Sequence, residues 1–187
     1  MSDWSLAPPM DWILRHGRHM TDPVKLVGEI FDRLVVAGMP LNRVSEFMRT
    51  LHPQYFGFVI RWDEGQTSLL RGEYRVLDTD EYLDSPMHRI LQGERVIRRP
   101  LHRADCPRDF PVLDDLAEEG FTDYVLAELV FSTGVRNGVS LSSRHKSGFS
   151  DHDIAEVQTL LHLFALIMEN HTNRGIAVNL LDTYLGT

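Results

Sequence analysis

The sequence is poor in cysteine, in long apolar runs and in positive charge, and each shortage excludes something. Its single cysteine, Cys106, rules out an internal disulfide and a cysteine-rich zinc site. No run approaches the ~18 apolar residues of a membrane-spanning helix, and the first residues lack the apolar stretch of a secretion signal. The expectation is a cytoplasmic protein with no membrane partner. Lys and Arg number 19 against 27 Asp and Glu, a formal net charge of −8. That balance argues against binding along a nucleic-acid backbone, which needs clustered cations to release counterions. The one basic stretch, RVIRRPLHR from Arg95 to Arg103, is broken by Pro100 and belongs to no helix-turn-helix pattern. It reads as a solvated edge strand and loop, and no nucleic-acid partner is expected.

Catalytic signatures are missing too. There is no GxSxG, no GxxxxGK[ST] and no GxGxxG after a strand. Nine histidines invite a metal reading, with His16 and His19 three apart and His102 and Cys106 four apart. Pro100 and Pro107 argue against a helix joining the second pair, and no third ligand is marked, so no metal is expected. An enzyme acting through Cys106 would stand beside Pro107 with no flagged base. The chain itself is read as non-catalytic.

What is present suits one folded domain. The 187 residues are 43% apolar and 25% charged, enough to build a core without staples. After the APP break at Ala7 to Pro9, DWILRHG (Asp11 to Gly17) reads as a short helix. Asp22 as N-cap and Pro23 at the first helical position open a second, in which Val24, Val27, Ile30, Phe31, Leu34 and Val35 recur at helical spacing. Gly38 and Pro40 end it. Three short β-rich stretches follow, Arg43 to Leu51, Phe56 to Trp62 and Thr67 to Gly72, separated by turn signals at His52-Pro53 and Asp63-Glu64-Gly65.

The middle, Glu73 to Gly120, is mixed. SPMHRILQG reads as a short helix capped by Ser85, IRR as a brief strand and FPVLDDLAEEG as another short helix. Two longer strands, Asp123 to Phe131 and Gly138 to Arg144, flank the hairpin connection STGVRNG. Ser150, with Asp153 in place of the usual Glu or Gln, gives a partial capping box for a last long helix. Strands grouped apart from helices imply an α+β architecture with one antiparallel sheet.

That last helix is apolar nearly all round: from Leu160 to Met168 only His162 is polar. Val157, Leu161, Phe164 and Met168 make one seam, and Leu160, Leu163, Phe164 and Ile167 a neighbouring one. One seam covers the sheet. The other needs a second partner, either the first long helix or another copy of the chain. The apolar end, with Leu180, Leu181, Tyr184 and Leu185 at helical spacing, favours a homodimer through terminal helices, with Val157, Leu161, Phe164, Met168 and Leu181 as interface residues. Gly175 weakens the helix by about 1 kcal/mol relative to Ala and marks a place for a kink or hinge.

The order of elements, ending in GFSDHDIAEVQTLLHLFALIME, resembles a GAF domain. More narrowly, DWILRHGR, RTLHP, TDYVLAELVFSTG and LLDTYLG, taken in order, resemble the N-terminal sensor region of bacterial class III adenylate/guanylate cyclases. The resemblance covers nearly all of the chain. It implies a GAF-like fold, a central antiparallel sheet with the long N- and C-terminal helices on one face and a variable helical and loop segment on the other. It also implies a division into an N-terminal helical extension (1–21), a GAF-like domain (22–172) and the start of a signalling helix (173–187) leading to a C-terminal cyclase domain. The catalytic aspartates of such a cyclase have no counterpart here, so its catalysis is carried onto no residue of this chain.

The implied function is a regulatory sensor and dimerisation domain in cAMP signalling; the alternative is a structural dimerisation module without ligand. No cofactor is assigned beyond an unidentified small molecule. The resemblance implies a pocket between the sheet and the middle segment, with Tyr82, His88, Arg89, Asp123 and Tyr124 as candidate lining. An Arg beside a His suits an anionic group and aromatics suit a flat ring. The NKFDE-type signature of cyclic-nucleotide-binding GAF domains is absent, which disfavours a cyclic nucleotide as that ligand.

Overall fold

A computed structural model describes residues 4–50 and 54–185, the last seven of these by their backbone alone. Six helices and six strands follow one another along the chain: α1 (Ala7–Arg15), α2 (Pro23–Ala37), β1 (Arg43–Arg49), β2 (Tyr55–Asp63), β3 (Gln66–Glu73), α3 (Asp80–Leu83), α4 (Pro86–Leu91), β4 (Val96–Arg99), α5 (Val112–Glu118), β5 (Asp123–Val130), β6 (Arg136–Ser143) and α6 (Asp151–Leu185). Single 3-10 turns lie at Gly17–His19 and Tyr74–Asp78. The strands form one sheet in the order β3-β2-β1-β6-β5-β4, every neighbouring pair antiparallel.

Local chemistry accounts for the helix ends. Asp22 accepts hydrogen bonds from Val24 N (2.9 Å) and Lys25 N (3.3 Å), and Gly38 closes α2 in the left-handed region at φ 109°. The partial capping box of α6 is complete in space. Ser150 Oγ accepts from Asp153 N, and Asp153 Oδ2 accepts from Ser150 N at 2.7 Å. Asp153 also accepts the Trp4 indole N–H on its other oxygen at 2.6 Å. The chain's first helix starts earlier than expected, at Ala7. Pro8 and Pro9 sit in its first turn, where amides have no intrahelical partner and a proline loses nothing. Nor does Gly175 interrupt α6, which is continuous as a helix to Leu185.

One face of the sheet is roofed by α2 and α6. Val44, Met48, Ile60, Trp62, Val125, Leu129, Val139 and Leu141 rise from the strands into a core shared with Val27, Ile30, Phe31 and Leu34 of α2 and Val157, Leu160, Leu161, Phe164 and Met168 of α6. The two long helices meet where Phe31 stands edge-on to Phe164, with ring centroids 5.9 Å apart. Trp4, Leu6 and Ile13 belong to this same core. Both seams of α6 thus turn toward the chain's own core, with Leu163 and Ile167 of the second only partly buried against it. Val157, Leu161, Phe164 and Met168, assigned to a dimer interface from sequence, are taken up by the chain's own core, because helical spacing marks an apolar stripe without saying what covers it. The Leu181 side chain lies outside the described residues. Burial on α6 ends at Thr172, and of 173–178 only Ile176 is half-buried.

The other face carries a smaller core under the middle segment: Met87 and Ile90 of α4, Leu113 and Leu116 of α5, with Leu101, Phe110 and Phe121, packed on Ile97, Tyr124 and Leu126. Gly138 on β6 lets α4 approach, since a Cβ there would stand 2.7 Å from the Met87 sulfur.

Candidate ligand cavity

The short covering elements do not fill the face they cover. Toward β1, β2 and β3 they leave a cavity of about 530 Å³, within the range of small-molecule sites. The strand register decides its floor. Phe47 opposes Val59, which opposes Leu70, so these three share the face away from α2 and α6. Arg49 lies two residues beyond Phe47, and Arg61 two beyond Val59, on that same face. The opposite wall comes from α3, α4 and α5 and brings Glu81, Tyr82, Asp84, Met87 and Asp115. Phe56 stands beside Gly72, where a Cβ would come within 2.4 Å of its ring. The absent side chain makes room for that aromatic wall.

Of the five residues proposed from sequence, the cavity brings two together. Tyr82 lines it, edge-on to Phe56 (6.1 Å) and to His88 (5.5 Å), and burial pushes its hydroxyl pKa up. Tyr124 lies at its base, 4% exposed; burial raises its hydroxyl pKa strongly, against a smaller opposing hydrogen bond with Ser140. The other three are elsewhere. His88 stays behind Tyr82, with Nε2 3.4 Å from Gln92 Nε2. Arg89 is outside the lining and ion-paired with Glu94 at 2.7 Å. Asp123 is fully buried and structural. It accepts from the Arg98 guanidinium (2.9 Å) and from Phe149 N (3.0 Å), tying β4 and β5 to the entry of α6. Gly148 is held against it: a Cβ there would stand 2.5 Å from Asp123 Oδ2.

Sequence reading missed the sheet's contribution, Phe47, Arg49, Phe56, Val59, Arg61 and Leu70. The alternation within each strand groups Phe47 with Arg49 and Val59 with Arg61, and that signal was present. Periodicity does not say which face stays open.

Among the described residues no group of three or more His, Cys, Asp or Glu is placed to hold a metal ion. Cys106 is half-buried, and desolvation raises its thiol pKa, the reverse of an activated nucleophile. The basic stretch is neutralised pair by pair: Arg95 with Glu128, Arg98 with Asp123, Arg99 with Asp109 and Arg103 with Asp105. No described helix is long and apolar enough to cross a membrane.

No protein-family model matches this sequence, and no curated protein matches it by sequence. Solved structures do match in shape. The GAF domain of a phosphoenolpyruvate-protein phosphotransferase from Coxiella burnetii is 14% identical, covers 91% of this chain and 96% of its own, and gives a TM-score of 0.57. That of a two-component sensor histidine kinase from Bacillus halodurans is 17% identical over 83% of this chain and 99% of its own, with a TM-score of 0.56. The phycocyanobilin-bound GAF domain of a cyanobacterial phytochrome is 15% identical over 86% and 92%, with a TM-score of 0.57. Identities this low speak for architecture alone. The six-stranded antiparallel sheet, the two long helices on one face and the cavity-forming segment on the other make this chain a domain of GAF-like fold.

Proposed function

We propose that this chain is the small-molecule sensor of a signalling protein, in which occupancy of the cavity biases the helix that leaves the domain. The carrying observation is the cavity itself, about 530 Å³ with an apolar and aromatic floor, under short elements that a ligand can reorder. Structures of like fold hold phycocyanobilin and phycoerythrobilin, which supports reading such a face as a binding face. Past Thr172, α6 runs on for 13 residues, roughly 20 Å at 1.5 Å per residue, toward whatever it controls. The four stretches resembling cyclase sensor regions favour a nucleotide cyclase as that output. Pairing with a second copy would use exposed apolar residues of α6, such as Leu166 at 63% and Val178 at 51% exposure, in place of the buried seam. A ligand acts here only through unequal affinity for two helix arrangements.

Native mass spectrometry of the chain tests the module. A dimer carrying extra bound mass is the expected result; an empty dimer favours a structural dimeriser, and a bare monomer overturns helix pairing. In the full-length protein, Leu70→Trp, which fills the cavity from an exposed edge-strand position, is expected to change cyclic-nucleotide output without lowering the melting temperature. Unchanged output, or no cyclase activity at all, overturns that part of the reading.

A further inference from the structure

The arginines of this chain divide by partner. Twelve of them stand within 4.0 Å of a carboxylate: Arg98 and Arg99 of β4 are typical, at 2.9 and 2.6 Å from Asp123 and Asp109. Among the described residues, Arg18, Arg49, Arg61, Arg71 and Arg174 have no such partner, and Arg49, Arg61 and Arg71 line the cavity. Arg71 comes from the edge strand with its guanidinium over the Tyr55 ring. Arg49 and Arg61 lie on the cavity face itself, about 13 Å apart along the sheet at 3.3 Å per residue. In an acidic chain that neutralises most of its arginines, unpaired ones at a cavity are groups left for something else.

Carboxylates line the cavity too, and they have local work. Glu81 and Asp115 sit in the first turns of α3 and α5, where negative charge complements free backbone amides, and Asp84 closes α3 as its C-cap. Arginines in mid-strand or at a strand end have no such complement. Arg49 closes β1 with its backbone N–H held by Asn137 Oδ1 at 2.8 Å, which fixes its base. Its charge reaches the hydroxyl of Tyr82, the aromatic wall across the cavity.

We propose that the ligand is an organic anion with a flat apolar body. Its body lies on Phe47, Phe56 and Tyr82, and its anionic group is held at the mouth by Arg49. The assignment rests on the sensor reading of the cavity and adds the charge of what is sensed.

Calorimetric titration of the chain with three indoles of one ring and different charge tests it: indole-3-acetate, tryptamine and neutral indole-3-ethanol. The expected result is indole-3-acetate at least about tenfold tighter than tryptamine, as for a charged hydrogen bond, with that preference lost in Arg49→Gln and kept in Arg75→Gln, an exposed arginine outside the lining. Melting temperatures verify that both variants fold. Equal binding of the three, preference for tryptamine, or a preference that survives Arg49→Gln overturns the anion assignment while leaving the cavity a binding site. Binding of none of them, or binding that Leu70→Trp does not weaken, overturns the cavity reading as well.

Discussion

The two faces of this sheet are built on opposite terms. Under α2 and α6 the core is closed: Leu26, Val27, Ile30, Leu34, Val44, Ile60, Val139 and Met168 are all inaccessible to solvent. Over β1, β2 and β3 the cover is a string of elements four to seven residues long, and β3 keeps Leu70 about half exposed. Long helices bury a continuous stripe and are stabilised by it; short ones depend on caps such as Thr79 and Ser85. The closed face holds the larger core, and the other face combines a smaller core with an open cavity.

The closed face still contains one costly feature. Glu46, mid-strand on β1 between Ile60 and Val139, is fully buried and neither carboxyl oxygen has a hydrogen-bond partner among the described residues. Desolvation raises its pKa well above the ordinary carboxylate value, so burial favours the neutral form. A carboxyl raised on folding contributes stability that is complete below its unfolded pKa, about 4.5, and lost as pH rises through the folded value.

Three variants would break or sharpen the comparison. The largest effect is expected from Phe164→Ala, which deletes the ring between α6 and Phe31: a loss of about 3–5 kcal/mol in urea denaturation. A loss under about 1 kcal/mol would mean the helical face is not the stable one. Next is Glu46→Leu, expected to gain about 1–3 kcal/mol at pH 8 and less at pH 4.5, because it removes a buried unpaired group. A gain equal at both pH values, or a loss, would show that the carboxyl is satisfied in solution. The smallest cost in stability belongs to Gly72→Ala, about 1 kcal/mol, since its Cβ pushes a half-buried Phe56 ring. Its effect on the affinity for indole-3-ethanol is expected to be the larger one, read by calorimetry beside the melting temperature. The reverse order would make Phe56 a packing residue and not a cavity wall.

Much of the fold is readable along the chain. Asp22-Pro23 and the Ser150/Asp153 pair mark helix starts, Gly38 marks a stop, and the β-rich runs match strands to within a few residues, because caps and periodicity act over one or two turns. The site was less legible. Asp123 looks like a polar residue at a strand entry until Arg98, 25 residues away, is seen beside it. Arg89 next to His88 looks like an anion site, yet its nearest partner is Glu94, five residues on.

The sequence by itself determined the elements, their order and the two faces of each strand, since those follow from local backbone chemistry and a fixed period. Only the tertiary structure decided which face would be closed and which left open. Val157, Leu161, Phe164 and Met168 went inward to the core under α2, and Arg49 came to rest at a cavity with no described carboxylate within ion-pair distance. Burial and ion pairing are settled between residues far apart in the chain, and no local pattern records them.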